Sequence, residues 1–367
     1  MHNCDNNSIT SSSTNYLNFI FGWENNPWRG RPLHVLIGTL GAPILSPVAL
    51  ISNYYLKDKI HSSMNKKKLL KKLSTYFSFY FFHLIILFFI IFIVCNFLNF
   101  SMNSLNYFLI SLVILSSDLV VSFFWQTHSS FLLILIPVLS VLSFYVGAVG
   151  QYVAKSKFYL YCLFLGCGCL FYQMCILWLP MLIIGYIYSA NMNRNINFFE
   201  ITKILLFFLI PLILWICFCY FFELKIFYEA KWNFVWLFDL LQTGDLKILE
   251  KKYFKFIENF KESFRIDILI SLIPVLLYLI SEKKKIIKSK FGSNFTLVCF
   301  LVIAFQIFFH FLQGYYQPRT INVLSLIIFI WVLWLNRSHL KIKQFTIISI
   351  LIVQLYNMFT KIPLTFI

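Results

Sequence analysis

Long apolar runs separated by short polar intervals dominate the chain. Their lengths match helices that cross a bilayer better than the shorter stripes of a water-soluble core. With a window of about 20 residues, the length that spans hydrocarbon, such runs fall near 33–56, 77–100, 107–125, 130–150, 158–188, 204–222, 266–281, 295–314, 319–335 and 344–360. The pattern predicts an all-α polytopic membrane protein with about ten transmembrane helices. Run 158–188 is long for one crossing and holds Gly166, Gly168 and Pro180, residues at which helices break or kink. It reads as one crossing or as a hairpin. A hairpin would make an earlier segment re-entrant, with Trp125–His128 outside and Lys155 and Lys157 inside.

The intervals orient the chain. Residues 57–72 carry Lys57, Lys59, Lys66, Lys67, Lys68, Lys71 and Lys72 against a single Asp58, and residues 282–290 carry five more lysines. Short basic loops stay in the cytoplasm, so both are expected inside. The outer face then receives 1–32, 223–265, 314–318 and the C-terminus. The interval 223–265 holds seven acidic and eight basic residues, a composition suited to water. Within it Leu249, Tyr253, Phe256, Ile257, Phe260 and Phe264 recur at helical spacing among lysines and glutamates. This predicts an amphipathic outer-face helix over 246–264 lying on the membrane, preceded by a turn and cap at Thr243-Gly244-Asp245, with Trp232 and Trp236 at headgroup depth.

Composition agrees: 60% of residues are hydrophobic, 12% are charged and the mean hydropathy is +0.78, whereas soluble domains carry roughly 25% charged residues. The net charge of +17 lies in short loops between apolar runs, where it sets topology, so nucleic acid is not expected as a partner. Eight of the nine cysteines fall within apolar runs without zinc-type spacing and read as small buried hydrophobes.

Candidate chemistry gathers at the outer intervals. The segment Gly22-Trp23-Glu24-Asn25-Asn26-Pro27-Trp28-Arg29-Gly30-Arg31-Pro32-Leu33-His34 places a carboxylate, two guanidinium groups and an imidazole just before the first span. Such a set could deprotonate a hydroxyl and hold a phosphate, or Glu24 could pair with Arg29 or Arg31 on a solvated surface. Gln313-Gly314-Tyr315-Tyr316-Gln317-Pro318-Arg319-Thr320 forms a second outer motif, with Arg319 set either to reach a lipid phosphate or to snorkel to headgroups. Asp118, His128, Gln173, Gln306 and His310 are polar positions within or beside spans. The first three are functional candidates, and the last two read as interhelical hydrogen-bonding groups. No Gly-rich phosphate loop, His-Glu-x-x-His helix or Gly-x-Ser-x-Gly elbow occurs, which argues against ATP-driven transport and metalloprotease chemistry.

Gly30-Arg31-Pro32-Leu33 leading into Gly41-Ala42-Pro43 and Ser46-Pro47, Leu170-Phe171-Tyr172-Gln173 within an apolar run, and the late outer Pro318-Arg319 together resemble the membrane glucosyltransferases of the phage serotype-conversion type, which modify bacterial O-antigen. With the matching hydropathy, the likeness covers most of the chain. It implies a GT-C-like, multi-pass protein of the bacterial inner membrane. Such a protein would move a hexose, such as glucose, from a polyprenyl-phosphate donor to a polysaccharide or glycolipid acceptor such as lipopolysaccharide. On this resemblance Glu24 is the catalytic carboxylate, Arg29, Arg31 and Arg319 bind the donor phosphate, and His34, Asp118, His128, Tyr172, Gln173 and Tyr316 are cavity candidates. The same carboxylate could instead ligate a divalent metal. Family members usually carry a transmembrane helix, and often two neighbouring acidic residues, around the first outer loop. Here Glu24 stands alone, so the resemblance implies further residues upstream or weak activity. A transporter, flippase or polymerase of lipid-linked oligosaccharides is the alternative reading. The expected organisation is an outer segment 1–32 with the candidate catalytic loop, an N-terminal bundle 33–222, an outer loop 223–265 and a C-terminal bundle 266–367.

Overall fold

The computed structural model describes residues 31–39, 66–98, 104–117, 155–172, 198–225, 229–263, 290–312, 318–335 and 340–361, with isolated positions between 47 and 183. These residues form helices and no strand. The elements are α1 (32–39), α2 (Lys66–Phe97), α3 (Leu105–Leu115), α4 (Lys155–Phe171), α5 (Phe198–Phe221), α6 (Glu229–Thr243), α7 (Leu246–Ser263), α8 (Lys290–Leu312), α9 (Pro318–Leu335) and α10 (Leu340–Lys361). Runs 130–150 and 266–281 lie almost wholly outside the described residues. The basic stretch expected as a loop at 57–72 is helical from Lys66 onward, because lysine is a good helix former and needs no apolar neighbour.

Among the described residues, two helices are long and apolar enough to cross a membrane, Leu73–Phe97 of α2 and Phe198–Phe221 of α5. At 1.5 Å per residue each exceeds the roughly 30 Å of bilayer hydrocarbon. Shorter apolar stretches occur in α3, α4, α6, α8 and α10. Both long helices are apolar on the buried and the exposed side. Ile86, Leu87, Ile90, Ile91, Val94 and Cys95 of α2 enter the common core, while Phe81, Leu84, Ile85, Phe88, Phe89 and Phe92 line its outward face at helical spacing. In α5 the outward series is Leu206, Ile210, Ile213, Leu214, Tyr220 and Phe221.

The most extensive helix contact joins α4 to α5. Tyr159, near the start of α4, meets Glu200 and Phe207 of α5. Farther along, the backbone at Gly166 meets the backbone at Phe208. Contacts that advance along both chains together make the two helices parallel. Run 158–188 is not one helix: α4 ends at Phe171. Gly166, legible as a break, is instead the point of closest approach, since a Cβ there would collide with the Phe208 carbonyl.

Helices α8 and α9, joined through 313–317, pack against each other, and α3 packs on α10, where the Ser116 hydroxyl donates to Gln354 Oε1 at 3.0 Å. Of the apolar-run cysteines, Cys95, Cys162, Cys169, Cys175, Cys219 and Cys299 are buried as expected and Cys167 is half-buried, whereas Cys217 is exposed because it lies on the outward side of α5 with Ile213 and Tyr220. Gln306 of α8 is buried too.

Gly166→Ala is expected to lower stability by about 1–3 kcal/mol, the usual cost of overpacking. Unfolding of the detergent-solubilised chain by denaturant would check this, and an unchanged midpoint would contradict the close approach.

Candidate functional site

The site grows from the first residues of α1. Pro32 opens this helix, where its fixed φ and missing N–H cost nothing, and Val35 N already donates to Arg31 O at 3.3 Å. The side chains on the inner face of α1 dock on α2. His34, 2% exposed, lies against Phe79 with ring centroids 5.0 Å apart, and the Ser78 hydroxyl donates to the Ile37 carbonyl at 2.5 Å. Val35 and Phe79 make a small apolar cluster joined by Ile37, Phe218 and Leu224, so α1 also touches the last turn of α5 and the residues just after it.

Arg31 reaches the end of α4. Its guanidinium carbon lies 4.8 Å from the centre of the Tyr172 ring, and Tyr172 is buried at the close of the helix, its N–H donating to Gly168 O. A cation over a desolvated aromatic ring gains up to about 2 kcal/mol. Phe171 stacks on Phe82 of α2 at 5.8 Å, which brings α2, α4 and α5 to one level beneath Arg31. Three residues expected at the site, Arg31, His34 and Tyr172, are therefore gathered at one end of the helix assembly.

The same end carries the α6–α7 hairpin. The turn and cap read from Thr243-Gly244-Asp245 are present. Gly244 adopts φ 67, the left-handed conformation that closes a helix. Asp245 Oδ1 accepts from Lys247 N at 3.0 Å, and Thr243 Oγ1 accepts from Asp245 N at 3.2 Å. Helix α7 forms over the expected range but does not lie free on a surface, because it packs on α8 and α9. Phe256 is buried edge-on against Phe311 at 5.4 Å, whereas Tyr253, expected on the same apolar face, is 52% exposed. The docked arc is rotated toward half-buried Lys252, whose ammonium burial pushes below its ordinary range, with Lys255 and Lys251 adding repulsion. Trp236, expected as a headgroup belt residue, is an anchor instead: it is buried beside Phe311, and its Nε1 donates to Leu312 O at 3.1 Å. The hairpin thus closes over the end of α8, next to the start of α9, where Pro318 and Arg319 form the first turn. A helix N-terminus with an arginine in its first turn favours an anion.

No family model, curated protein or solved structure matches the chain. The site therefore has to be read from its own chemistry.

The Arg319 backbone lies in α9, and its side chain is outside the described residues, as are Glu24, Arg29, Asp118, His128, Gln173 and Tyr316. Among the described residues, no group of three His, Cys, Asp or Glu side chains could hold a metal ion. Sequence reasoning missed Ser74, Thr75, Ser78 and His83, all buried on α2. The spacing of three carried a signal: Ser74, Thr75 and Ser78 fall within about 100° of one another around the helix, whereas His83 does not share that arc. It missed Glu200 as well, which beside Lys203 reads as an ordinary solvated pair yet is buried.

Three outcomes follow. Replacing Tyr172 by Leu should release Arg31 and cost about 1–2 kcal/mol of stability, whereas Tyr172→Phe keeps the ring face and most of that energy; unfolding midpoints of the two variants measure the difference. Trp236→Phe should raise hydrogen exchange in α6 and α7 by roughly tenfold, the effect of losing about 1 kcal/mol from one hydrogen bond together with part of the indole contact. Lys252→Met should lower that exchange, because it relieves a desolvated ammonium.

Proposed function

We propose that the chain is a multi-pass membrane glycosyltransferase, GT-C-like and of the bacterial inner membrane. It moves a hexose from a polyprenyl-phosphate carrier to a polysaccharide or glycolipid on the outer side. The membrane part of this reading is supported by the phenylalanine-rich outward faces of α2 and α5, which water would not tolerate over such lengths but lipid would.

The observation that carries the transferase reading is the gathering of Arg31, His34 and Tyr172 at the end where α5 leads into the charged α6–α7 hairpin. The α6–α7 hairpin that follows α5 packs in turn on α8 and α9, the helix whose first turn carries Arg319. Two arginines on separate elements suit a phosphate leaving group, and the ring beneath Arg31 keeps its guanidinium in place without neutralising it. In this scheme Glu24, a few residues ahead of Arg31, takes the proton of the acceptor hydroxyl. The acceptor oxygen bonds to the anomeric carbon as the carbon–oxygen bond to phosphate breaks. The polyprenyl phosphate departs with that electron pair, and its charge is met by Arg31, Arg29 and Arg319.

The test is transfer of labelled hexose from synthetic polyprenyl-phosphate glucose to a lipid-linked glycan, in membranes holding the chain. Glu24→Gln should reduce transfer by about 10²–10⁴-fold, and Arg31→Ala should raise the KM for donor by roughly 10–100-fold. Chelation of divalent metal should leave the parent rate unchanged if Glu24 is a base and abolish it if Glu24 is a metal ligand. Full transfer by Glu24→Gln would overturn the assignment.

A further inference from the structure

At the end of the α4–α5 pair opposite Arg31, a buried carboxylate holds the two helices together. Glu200, in the first turn of α5, is 8% exposed. The Tyr159 hydroxyl of α4 donates to its Oε2, and Lys203 Nζ lies 3.8 Å from its Oε1. The Tyr159 ring stacks on Phe207 with centroids 5.1 Å apart. The Lys203 ammonium sits 5.9 Å from that ring and 4.5 Å from the Phe199 ring. A carboxylate this buried is unfavourable unless it is paired and hydrogen-bonded, so the arrangement holds α4 at one axial position on α5.

Midway along the pair, the Gly166–Phe208 backbone approach fixes where the helices meet, but a single contact point leaves the tilt and rotation of α4 about it open. Cys162, Leu165 and Cys169, also buried along α4, are mostly apolar and lack the directionality to fix either. From Tyr159 to Tyr172 the helix is continuous. Tyr159 and Tyr172 lie about 10 Å and about 9 Å from Gly166 along the axis, so a tilt at one end displaces the other by nearly as much and carries the Tyr172 ring away from Arg31. We propose that Glu200 is a positioning residue: by accepting the Tyr159 hydroxyl it sets the tilt and rotation of α4 on α5 and so seats Tyr172 beneath Arg31 at the opposite end.

The reporter is Cys175, which is 1% exposed and whose N–H donates to Tyr172 O at 3.0 Å. The full chain is prepared in detergent with Cys175 as its single cysteine, or with buried Cys299 of α8 as a control, and the rate of maleimide labelling is followed. Tyr159→Phe removes one oxygen and keeps the ring. It should speed labelling of Cys175 about tenfold and leave Cys299 unchanged, as expected for losing one hydrogen bond to a charged group. Glu200→Ala should do the same. Glu200→Gln, whose amide oxygen can still accept from Tyr159, should restore a rate near that of the parent. If Glu200→Ala exposes Cys299 too, that variant has lost its fold and Tyr159→Phe decides. Unchanged Cys175 labelling in Tyr159→Phe, or a Glu200→Gln as fast to label as a folded Glu200→Ala, overturns the proposal. Its consequence for turnover, a raised donor KM with kcat little altered in Tyr159→Phe, rests on the transferase reading; the labelling does not.

Discussion

The backbone of α4 touches that of α5 at Gly166 and Phe208, and this contact requires a residue without a side chain. The approach makes the two helices a closely packed parallel pair, because Tyr159 at one end of α4 already faces the first turns of α5. Once they are parallel, the end of α4 and the end of α5 stand side by side. Tyr172 and Phe171 then lie near Phe218 and Leu224, and α1 and α2 can pack against both. A bulkier residue at 166 would push the helices apart and loosen the floor on which Arg31 rests.

The two ends of this pair have opposite character. At one, Glu200 is enclosed by Tyr159, Lys203 and aromatic rings; at the other, Arg31 sits half-buried over Tyr172. Charge is placed where helices begin and end, and the stretch between is apolar on all sides. That distribution suits a bilayer, since a charge is costly in hydrocarbon and tolerable near its boundary. The α6–α7 hairpin adds a lid of mixed charge at the Arg31 end, held by Trp236 and Phe256 closing on Phe311. Arg31 thus lies at the end where α5 leads into this hairpin, and the hairpin packs on α8 and α9.

Much of this is legible in the order of residues along the chain. Apolar runs longer than a soluble core requires predict helices at 77–100, 204–222, 295–314, 319–335 and 344–360, and the helices found there begin or end within several residues of those bounds, α2 starting earliest. The turn at Thr243-Gly244-Asp245 and the helix after it are readable because glycine, aspartate and the spacing of apolar residues act locally. The partner of α7 is not readable: the apolar stripe of an amphipathic helix looks the same whether lipid or another helix covers it. Tyr253 is exposed and Lys252 half-buried because α8 and α9 claim a different arc.

By itself, then, the sequence determined the helices, their lengths, the likeness of their inner and outer faces, and the presence of arginine, histidine and tyrosine near their ends, because propensity, capping and hydropathy are properties of neighbouring residues. Whether Gly166 marked a break or a contact depended on where α5 lies. So did the meeting of Arg31 with Tyr172 and the burial of Glu200 beside Tyr159. Tertiary structure decided these, since each is a pairing between distant segments, and no local preference records which side chain will stand opposite another once the helices have packed.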